Sequence, residues 1–496
     1  MVPAAPRPAM PSAVARALGI AAATLLVGAL PAVAAAHGLS PVYESPLPLA
    51  VYLVGAAATV ALSFLFVLAR DLHADETPPR REVAVPRVVR IGLRLIGLLG
   101  WVWIMAQGIA GGSSDGAVAG LFLWVYGWVG IAMLSALAFP VWEWLDPFAT
   151  LFDICAWALR SVGIKGMKPS ALPARLGSWP ATIGFAVFVW LELVAIPGTA
   201  GLTVVLSMYT MLTLALMSQF GRDEWRARGE VFSVWFRTLG RLSATGPAEL
   251  ADGHVTPGMV VRRPFASGVL DADWSQARIV LVAFGVGSII FDGVSQTVPF
   301  AAVFGAPSLG PKTLLLLVFL AIVAVAALQV ARDVSPGAIG AGLLPIAVGY
   351  LVAHYLTFLL IDGQRILIAI SDPLQTGSDY FGTAFWQVSA GWLPPGLLWT
   401  VQLAAVVGGH MLGAWSGHVT AQRDIAAARH ARDIRHRKIH DPVTARNLRM
   451  REVPLAVIMV ILTTITLWSL GQAIVKEQAA SGTISATTAW APPGSQ

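Results

Sequence analysis

The sequence contains few charged residues for its length. Asp, Glu, Lys and Arg make up 12% of its 496 residues, whereas hydrophobic residues make up 56%. Soluble globular domains carry about 25% charged residues. A water-soluble chain of this size could not cover its surface with so few charges, but a protein surrounded by lipid needs no polar coat. The composition therefore predicts an integral membrane protein.

Cysteine is almost absent, since Cys155 is the single one in the chain. One cysteine excludes an internal disulfide framework and a zinc site built on several thiolates. The sequence also lacks HExxH, a Walker phosphate-binding loop and CxxC. These absences argue against ATP-driven pumping and against the familiar zinc hydrolase families.

The first 36 residues have the pattern of a secretory signal peptide, or of a first anchor helix. Arg7 and Arg16 supply a positive start, a short apolar stretch follows, and small residues end at Ala36. Cleavage after Ala36 would leave His37 as the new N-terminus. An N-terminal histidine offers its amine and its ring nitrogen to one metal ion, which suits copper. The alternative is that His37 is only the residue after the cleavage site.

Apolar runs of about 20 residues predict membrane-spanning helices. The predicted fold class is all-α: a polytopic transmembrane helical bundle of about 10 spans after an N-terminal signal peptide. The spans are expected at residues 47–69, 91–110, 116–139, 180–198, 201–220, 279–303, 312–332, 338–361, 394–415 and 453–475.

Lysine and arginine concentrate in four connections that fall on one side of this bundle, at residues 70–90, 140–179, 221–278 and 416–452. Basic connections face the cytoplasm, so the mature N-terminus is expected outside. The prediction is a multi-pass protein of the bacterial cell membrane, with a transmembrane domain at 37–476 and a disordered extracytoplasmic tail at 477–496. Membrane orientation accounts for the basic residues, so the bilayer is the expected partner and nucleic acid is not.

Two patterns predict local packing. Residues 225–242 alternate arginine with large apolar side chains at helical spacing, which predicts a helix lying along the inner headgroup layer. Gly409, Gly413 and Gly417 place a small residue at every fourth position, which favours close packing of helices in lipid.

Ionisable residues within spans are costly and are therefore the first functional candidates. They are Glu192, Asp292, His354 and His410. All but His410 fall in the middle or outer part of their spans, and Asp362 follows His354 by two helical turns. We take Asp292, His354 and Asp362 as candidate catalytic residues. Such groups can also do no more than form hydrogen bonds between helices.

Histidine and carboxylate side chains on the outer side could also bind a divalent metal, either zinc or copper. The candidate ligands are His37, His354 and Asp379. A bound metal would lower the pKa of a water molecule and supply hydroxide at neutral pH. Carboxylates could instead relay protons or bind a transported cation. In the loop that contains Asp379, the same residue types are also typical of turns.

Several segments resemble bacterial membrane proteins of the fenitrothion hydrolase family. They are the signal ending AAAHG, then SPLPLAVYLVGAAATVALSF, FDGVSQT and GYLVAHYLTFLLIDGQ. The resemblance implies a membrane-bound hydrolase of organophosphorus triesters, with a second membrane subunit as a candidate partner. It supplies no catalytic residues.

Three functions therefore follow from the sequence. The first is hydrolysis of organophosphorus triesters in the outer half of the bundle, with or without a metal. The second is copper or other metal handling through His37. The third is cation-coupled secondary transport, with Glu192 and Asp292 as the coupling groups.

Overall fold

The computed structural model describes residues 79–110, 117–164, 168–250, 252–270, 273–435 and 445–470, with the single positions 54, 55 and 58. This part of the chain is mostly helical, which confirms the predicted class in its coarse form. The predicted signal peptide, His37, nearly all of the span at 47–69 and the tail at 477–496 lie outside the described residues.

The described elements begin with a short strand, and a pair of strands interrupts the helices that follow. They are β1 (Arg81–Ala84), α1 (Arg87–Ala110), α2 (Val118–Leu137), α3 (Trp142–Leu145), α4 (Pro147–Ser161), α5 (Trp179–Ala195), α6 (Thr199–Phe220), α7 (Arg222–Arg228), α8 (Val231–Gly240), β2 (Thr245–Glu249), β3 (Val255–Arg262), α9 (Gln276–Ser295), α10 (Val298–Phe304), α11 (Leu309–Asp333), α12 (Pro336–Asp362), α13 (Arg365–Ser371), α14 (Pro395–Arg435) and α15 (Ala445–Leu470).

Within the described residues, seven helices are long and apolar enough to cross a membrane: α1, α2, α6, α9, α11, α12 with α13, and α14. Two further apolar helices are shorter, α5 and the segment Val457–Ser469 of α15. Seven of the predicted spans from residue 91 onward thus coincide with helices long enough to cross a membrane, and the predictions at 180–198 and 453–475 fall on the two shorter apolar helices.

Several helices begin where the sequence provides a capping side chain. Ser335 accepts a hydrogen bond from the Ala338 amide, and Pro336 occupies the first helical position of α12. Asp146 accepts bonds from the amides of Phe148 and Ala149 at the start of α4. Side-chain oxygens at these positions satisfy amides that lack a helical partner, and proline loses nothing there.

Helices α12 and α14 pack through glycine. A Cβ atom on Gly409 would lie 2.7 Å from the carbonyl oxygen of Pro345 and 3.2 Å from the Cα atom of Gly349. On Gly413 it would overlap the carbonyl oxygen of Gly342. Since no side chain fits in this space, the predicted close packing is confirmed at Gly409 and Gly413.

A small antiparallel sheet was not expected from the sequence. Its strand order is β1-β3-β2, with Arg81 paired to Arg262 in one ladder and Thr245 paired to the same residue in the other. The sheet joins the chain just before α1 to the connection that follows α8. Asp153 in the 140–179 connection also pairs with Arg94 and Arg222. Three of the four basic connections therefore meet at one end of the bundle.

The prediction of a helix along the headgroup layer is wrong. All ten residues of α8 are buried within the protein. Trp235 stacks on Trp128 of α2, with 5.8 Å between ring centroids, and lies 4.6 Å from the ring of Phe185. The arginine in α8, Arg237, is buried because it pairs with the carboxylate of Glu143. Pairing lets a basic amphipathic helix enter the protein interior instead of lying on lipid.

Candidate functional site

Three side chains converge on the carboxylate of Asp292, near the end of α9. On α12, His354 places its Nε2 atom 3.0 Å from Oδ2 of Asp292, and the hydroxyl of Tyr355 donates to the same oxygen at 2.9 Å. Gln296, one turn after Asp292, donates from Nε2 to Oδ1 at 2.6 Å. The sequence-predicted residues Asp292 and His354 are therefore in direct contact.

The hydrogen bonds determine what this pair can do chemically. When Asp292 is a carboxylate, it accepts all three bonds, and Nε2 of His354 must then carry the proton. The Nδ1 atom of His354 is left with a lone pair and can accept a proton. The side chains of His354 and Asp292 are 18% and 13% exposed. Both side chains are thus largely buried, but a small part of each remains exposed.

Neighbouring side chains restrict the position of the pair. Trp128 packs edge-on against Tyr355, with 6.2 Å between ring centroids. A Cβ atom on Gly293 would lie 3.0 Å from Oγ of Ser469 and 3.5 Å from Cε1 of His354. Glycine at this position therefore allows α9, α12 and α15 to meet beside the imidazole.

Glu192 lies close to the same pair, in the last turns of α5. Its Oε2 atom is buried and has no hydrogen-bond partner among the described residues, and it interacts electrostatically with Asp292 and Tyr355. The backbone here changes to the wider π-helical pattern over Leu191–Ala195, and Ile196 follows with φ of 41°. Both features cost energy and occur frequently at functional sites.

The other sequence-predicted residues have separate partners. Asp362 binds Arg365, with 3.0 Å between Oδ1 and Nε. Asp379 accepts hydrogen bonds from the Ser371 hydroxyl and the Ala384 amide, which lower the pKa of its carboxyl group below the ordinary value. Asp379 therefore holds its own loop together. Neither aspartate forms a hydrogen bond or an ion pair with His354.

His410 is also separate from this cluster. It is fully buried, its Nδ1 atom lies 2.8 Å from the carbonyl oxygen of Val406, and its Nε2 atom lies 3.4 Å from the hydroxyl of Tyr350. An imidazole bonded to its own helix on one side and a neighbouring helix on the other is a satisfied core histidine.

The described residues do not fit a metal site. Among them, no group of three or more His, Cys, Asp or Glu side chains is close enough to hold an ion. His37, the proposed N-terminal ligand, lies outside the described residues. The Asp292–His354 pair alone would supply two ligands, fewer than the three protein ligands of a catalytic zinc site.

At the opposite end of α9, the basic connections contain a buried network of ion pairs. Arg226 binds Asp146, with 2.9 Å between Nε and Oδ2, and also binds Glu143. Arg237 donates to Glu143 from Nη2 at 2.9 Å. Burial acts to raise the pKa of Glu143, but Arg237 and Arg226 outweigh it and lower the pKa below the ordinary 4.5.

Sequence reasoning did not identify Tyr355 or this network. Tyr355 directly follows His354 in a mostly apolar span. The hydroxyl group next to an ionisable residue could therefore have marked Tyr355 as a candidate. The network had no such signal, because Glu143 and its two arginine partners are far apart in sequence.

Comparison with known proteins finds no matching family model, no matching curated protein and no matching solved structure.

Proposed function

We propose that this chain is a multi-pass membrane hydrolase of neutral organophosphorus triesters, with Asp292 and His354 as its acid–base pair. The observation that carries the proposal is the 3.0 Å contact between His354 Nε2 and Asp292 Oδ2. An aspartate that orients a histidine, and leaves the other ring nitrogen as a base, is a recurrent arrangement in hydrolases. The resemblance to fenitrothion hydrolases supplies the substrate class.

The membrane arrangement proposed with it has about ten spans, a cleaved signal peptide and basic connections in the cytoplasm. The Asp292–His354 pair then lies in the outer half of the bundle. Neutral triesters are apolar and partition into lipid. They can therefore reach a site among apolar helices from the outer leaflet.

The reaction would proceed with water as the nucleophile. Nδ1 of His354 takes a proton while the water oxygen forms a bond to phosphorus. The bond from phosphorus to the aryl oxygen breaks, and the departing aryloxide takes the proton that His354 removed from the water. The products are a phosphodiester and a phenol. Asp292 stabilises the imidazolium that forms meanwhile. Because the described residues do not fit a metal site, no step uses a metal.

The test uses the purified full chain in liposomes with a nitrophenyl phosphotriester as the substrate. The release of nitrophenolate measures the rate of hydrolysis. His354→Gln and Asp292→Asn should each lower the rate by about 100-fold or more, the usual contribution of a general base. His418→Gln is the matched control, because His418 is also buried and bonds to Gln422 on its own helix. Unchanged hydrolysis by His354→Gln would disprove the proposal.

A proton-coupled transporter is the second candidate, and Glu192 favours it. A buried carboxyl oxygen without a hydrogen-bond partner, near a second carboxylate, is typical of proton relays in membranes. In this case Glu192→Gln should abolish proton movement into liposomes under an imposed pH gradient. It should leave nitrophenolate release, if any, unchanged.

A further inference from the structure

A cavity lies between the start of α1, α7 and the loop that joins β2 to β3. Its volume is about 680 Å³, which is in the range of small-molecule sites. Six arginines line it: Arg87, Arg90, Arg94, Arg222, Arg226 and Arg237. Three acidic residues also line it: Glu143, Asp223 and Asp252. With His254 neutral, the lining carries a formal charge of +3.

Four of these arginines already have carboxylate partners. Arg94 and Arg222 share Asp153, and Arg222 also binds Asp223. Arg226 and Arg237 share Glu143. Of the acidic residues that line the cavity, Glu143 and Asp223 are therefore bound to these arginines, and Asp252 pairs with His254.

Arg87 and Arg90 have no ion-pair partner within the described part of the chain. The Nε atom of Arg90 is buried and makes no hydrogen bond there. A buried guanidinium nitrogen without an acceptor is costly, and an anion in the cavity would remove that cost. The two residues are three apart on α1, so their side chains project from the same face of the helix.

Glycine makes room for Arg90. Gly258 has φ of 74°, and a Cβ atom on it would lie 2.8 Å from Nη1 of Arg90. Its carbonyl oxygen accepts a hydrogen bond from the Val85 amide at 2.9 Å, which fixes β3 beside the start of α1. The backbone is therefore shaped around an arginine whose Nε atom has no hydrogen-bond acceptor within the described protein.

We infer that this arginine cavity binds a phosphate group, carried either by a phospholipid headgroup or by a soluble phosphorylated compound. Arginine pairs with phosphate through two parallel hydrogen bonds, and a phosphomonoester or diphosphate matches the excess of positive charge. The cavity is at the opposite end of α9 from Asp292, so the inference does not depend on the proposed hydrolysis.

Isothermal titration calorimetry of the full chain in neutral detergent, with two probes, distinguishes a lipid headgroup from a soluble phosphorylated compound. The probes are inorganic pyrophosphate and a short-chain phosphatidic acid. Binding of pyrophosphate at least as tight as that of phosphatidic acid supports a soluble ligand. Tighter binding of phosphatidic acid, by about tenfold or more, supports a lipid headgroup.

Arg87→Gln/Arg90→Gln should weaken binding of the preferred probe by about tenfold or more, since it removes two guanidinium groups that pair with phosphate. Gly258→Ala should weaken it too, because the added carbon displaces Arg90. Arg160→Gln/Arg175→Gln is the matched control, since neither residue lines the cavity.

Unfolding midpoints of all variants, measured in the same detergent, separate lost binding from lost structure. The double variant Arg87→Gln/Arg90→Gln removes unpaired charges, so it should be at least as stable as the parent chain. The inference fails if neither probe binds, or if this variant binds as tightly as the control variant.

Discussion

Ser416 on α14 shares its hydroxyl hydrogen between the carbonyl oxygen of Ala341 on α12, at 2.7 Å, and that of Leu412 on its own helix, at 2.8 Å. Ala341 is four residues before Pro345, which lies inside α12. Proline has no amide hydrogen, so the Ala341 carbonyl loses its partner in its own helix. A side chain from the neighbouring helix replaces it. In an apolar bundle, where water cannot do this, the replacement stabilises both helices.

Ser416→Ala should therefore destabilise the protein by about 1–3 kcal/mol, the cost of a buried group left without its partner. The measurement is the unfolding midpoint in detergent. Ser288→Ala is the control, because the Ser288 hydroxyl bonds only to a carbonyl of its own helix. Adding Pro345→Ala to Ser416→Ala should restore part of the loss. If Ser416→Ala and Ser288→Ala behave alike, the hydrogen bond is not important.

Arg226→Met should destabilise the protein by about 3–5 kcal/mol, because Glu143 and Asp146 would each lose a buried ionic partner. The same substitution at Arg228 should cost less than about 1 kcal/mol, since its pair with Glu224 is partly exposed. Denaturant unfolding of both variants tests this. Equal effects would contradict the importance of the buried network.

Glu143→Gln should change the dependence of stability on pH. The arginines lower the pKa of Glu143 in the folded protein below 4.5, so the carboxylate contributes fully above about pH 4.5. This contribution is lost as the pH falls through the folded pKa. The stability difference between the parent chain and Glu143→Gln should therefore shrink below pH 4.5. Unfolding midpoints measured at a series of pH values test it, and a constant difference would contradict it.

Gly409→Ala and Gly408→Ala should have opposite effects. A Cβ atom on Gly409 would collide with the backbone of α12, whereas one on Gly408 would meet nothing within 4 Å. We expect Gly409→Ala to cost about 1–3 kcal/mol, and Gly408→Ala to stabilise by up to about 1 kcal/mol through helix propensity. Thermal unfolding of the two variants and the parent chain in the same detergent tests this prediction.

Cys155 reports the orientation of the chain, because it is the single cysteine and its side chain is exposed on α4. With the basic connections in the cytoplasm, a membrane-impermeant maleimide should leave intact cells unlabelled and label Cys155 after permeabilisation. Cys155→Ser provides the background. Labelling of intact cells would reverse the proposed orientation.

The sequence predicted the helices well, because each long apolar run has one stable solution in lipid. It also singled out Asp292 and His354, which lie in contact, because ionisable residues are conspicuous in apolar spans. It did not predict that α8 is buried. That outcome depends on Glu143, which is far from Arg237 in the chain, and hydrophobic periodicity contains no information on such pairs.

The sheet was missed for a similar reason. The Arg81–Ala84 strand is short and carries Arg81 and Glu82, so its periodicity is not distinctive. Its partner, β3, is separated from it in the sequence by the four apolar helices α1, α2, α5 and α6. Only the folded bundle brings the two together.

This pairing also imposes an order on biosynthesis. While the early helices are being inserted, β1 has no partner strand, because Arg81 pairs with Arg262 and that residue is made much later. Contacts between such distant residues form slowly. The end of the bundle with the arginine cavity is thus completed only after β3 has left the ribosome. Until then, β1 and Arg90 lack the contacts that β3 provides.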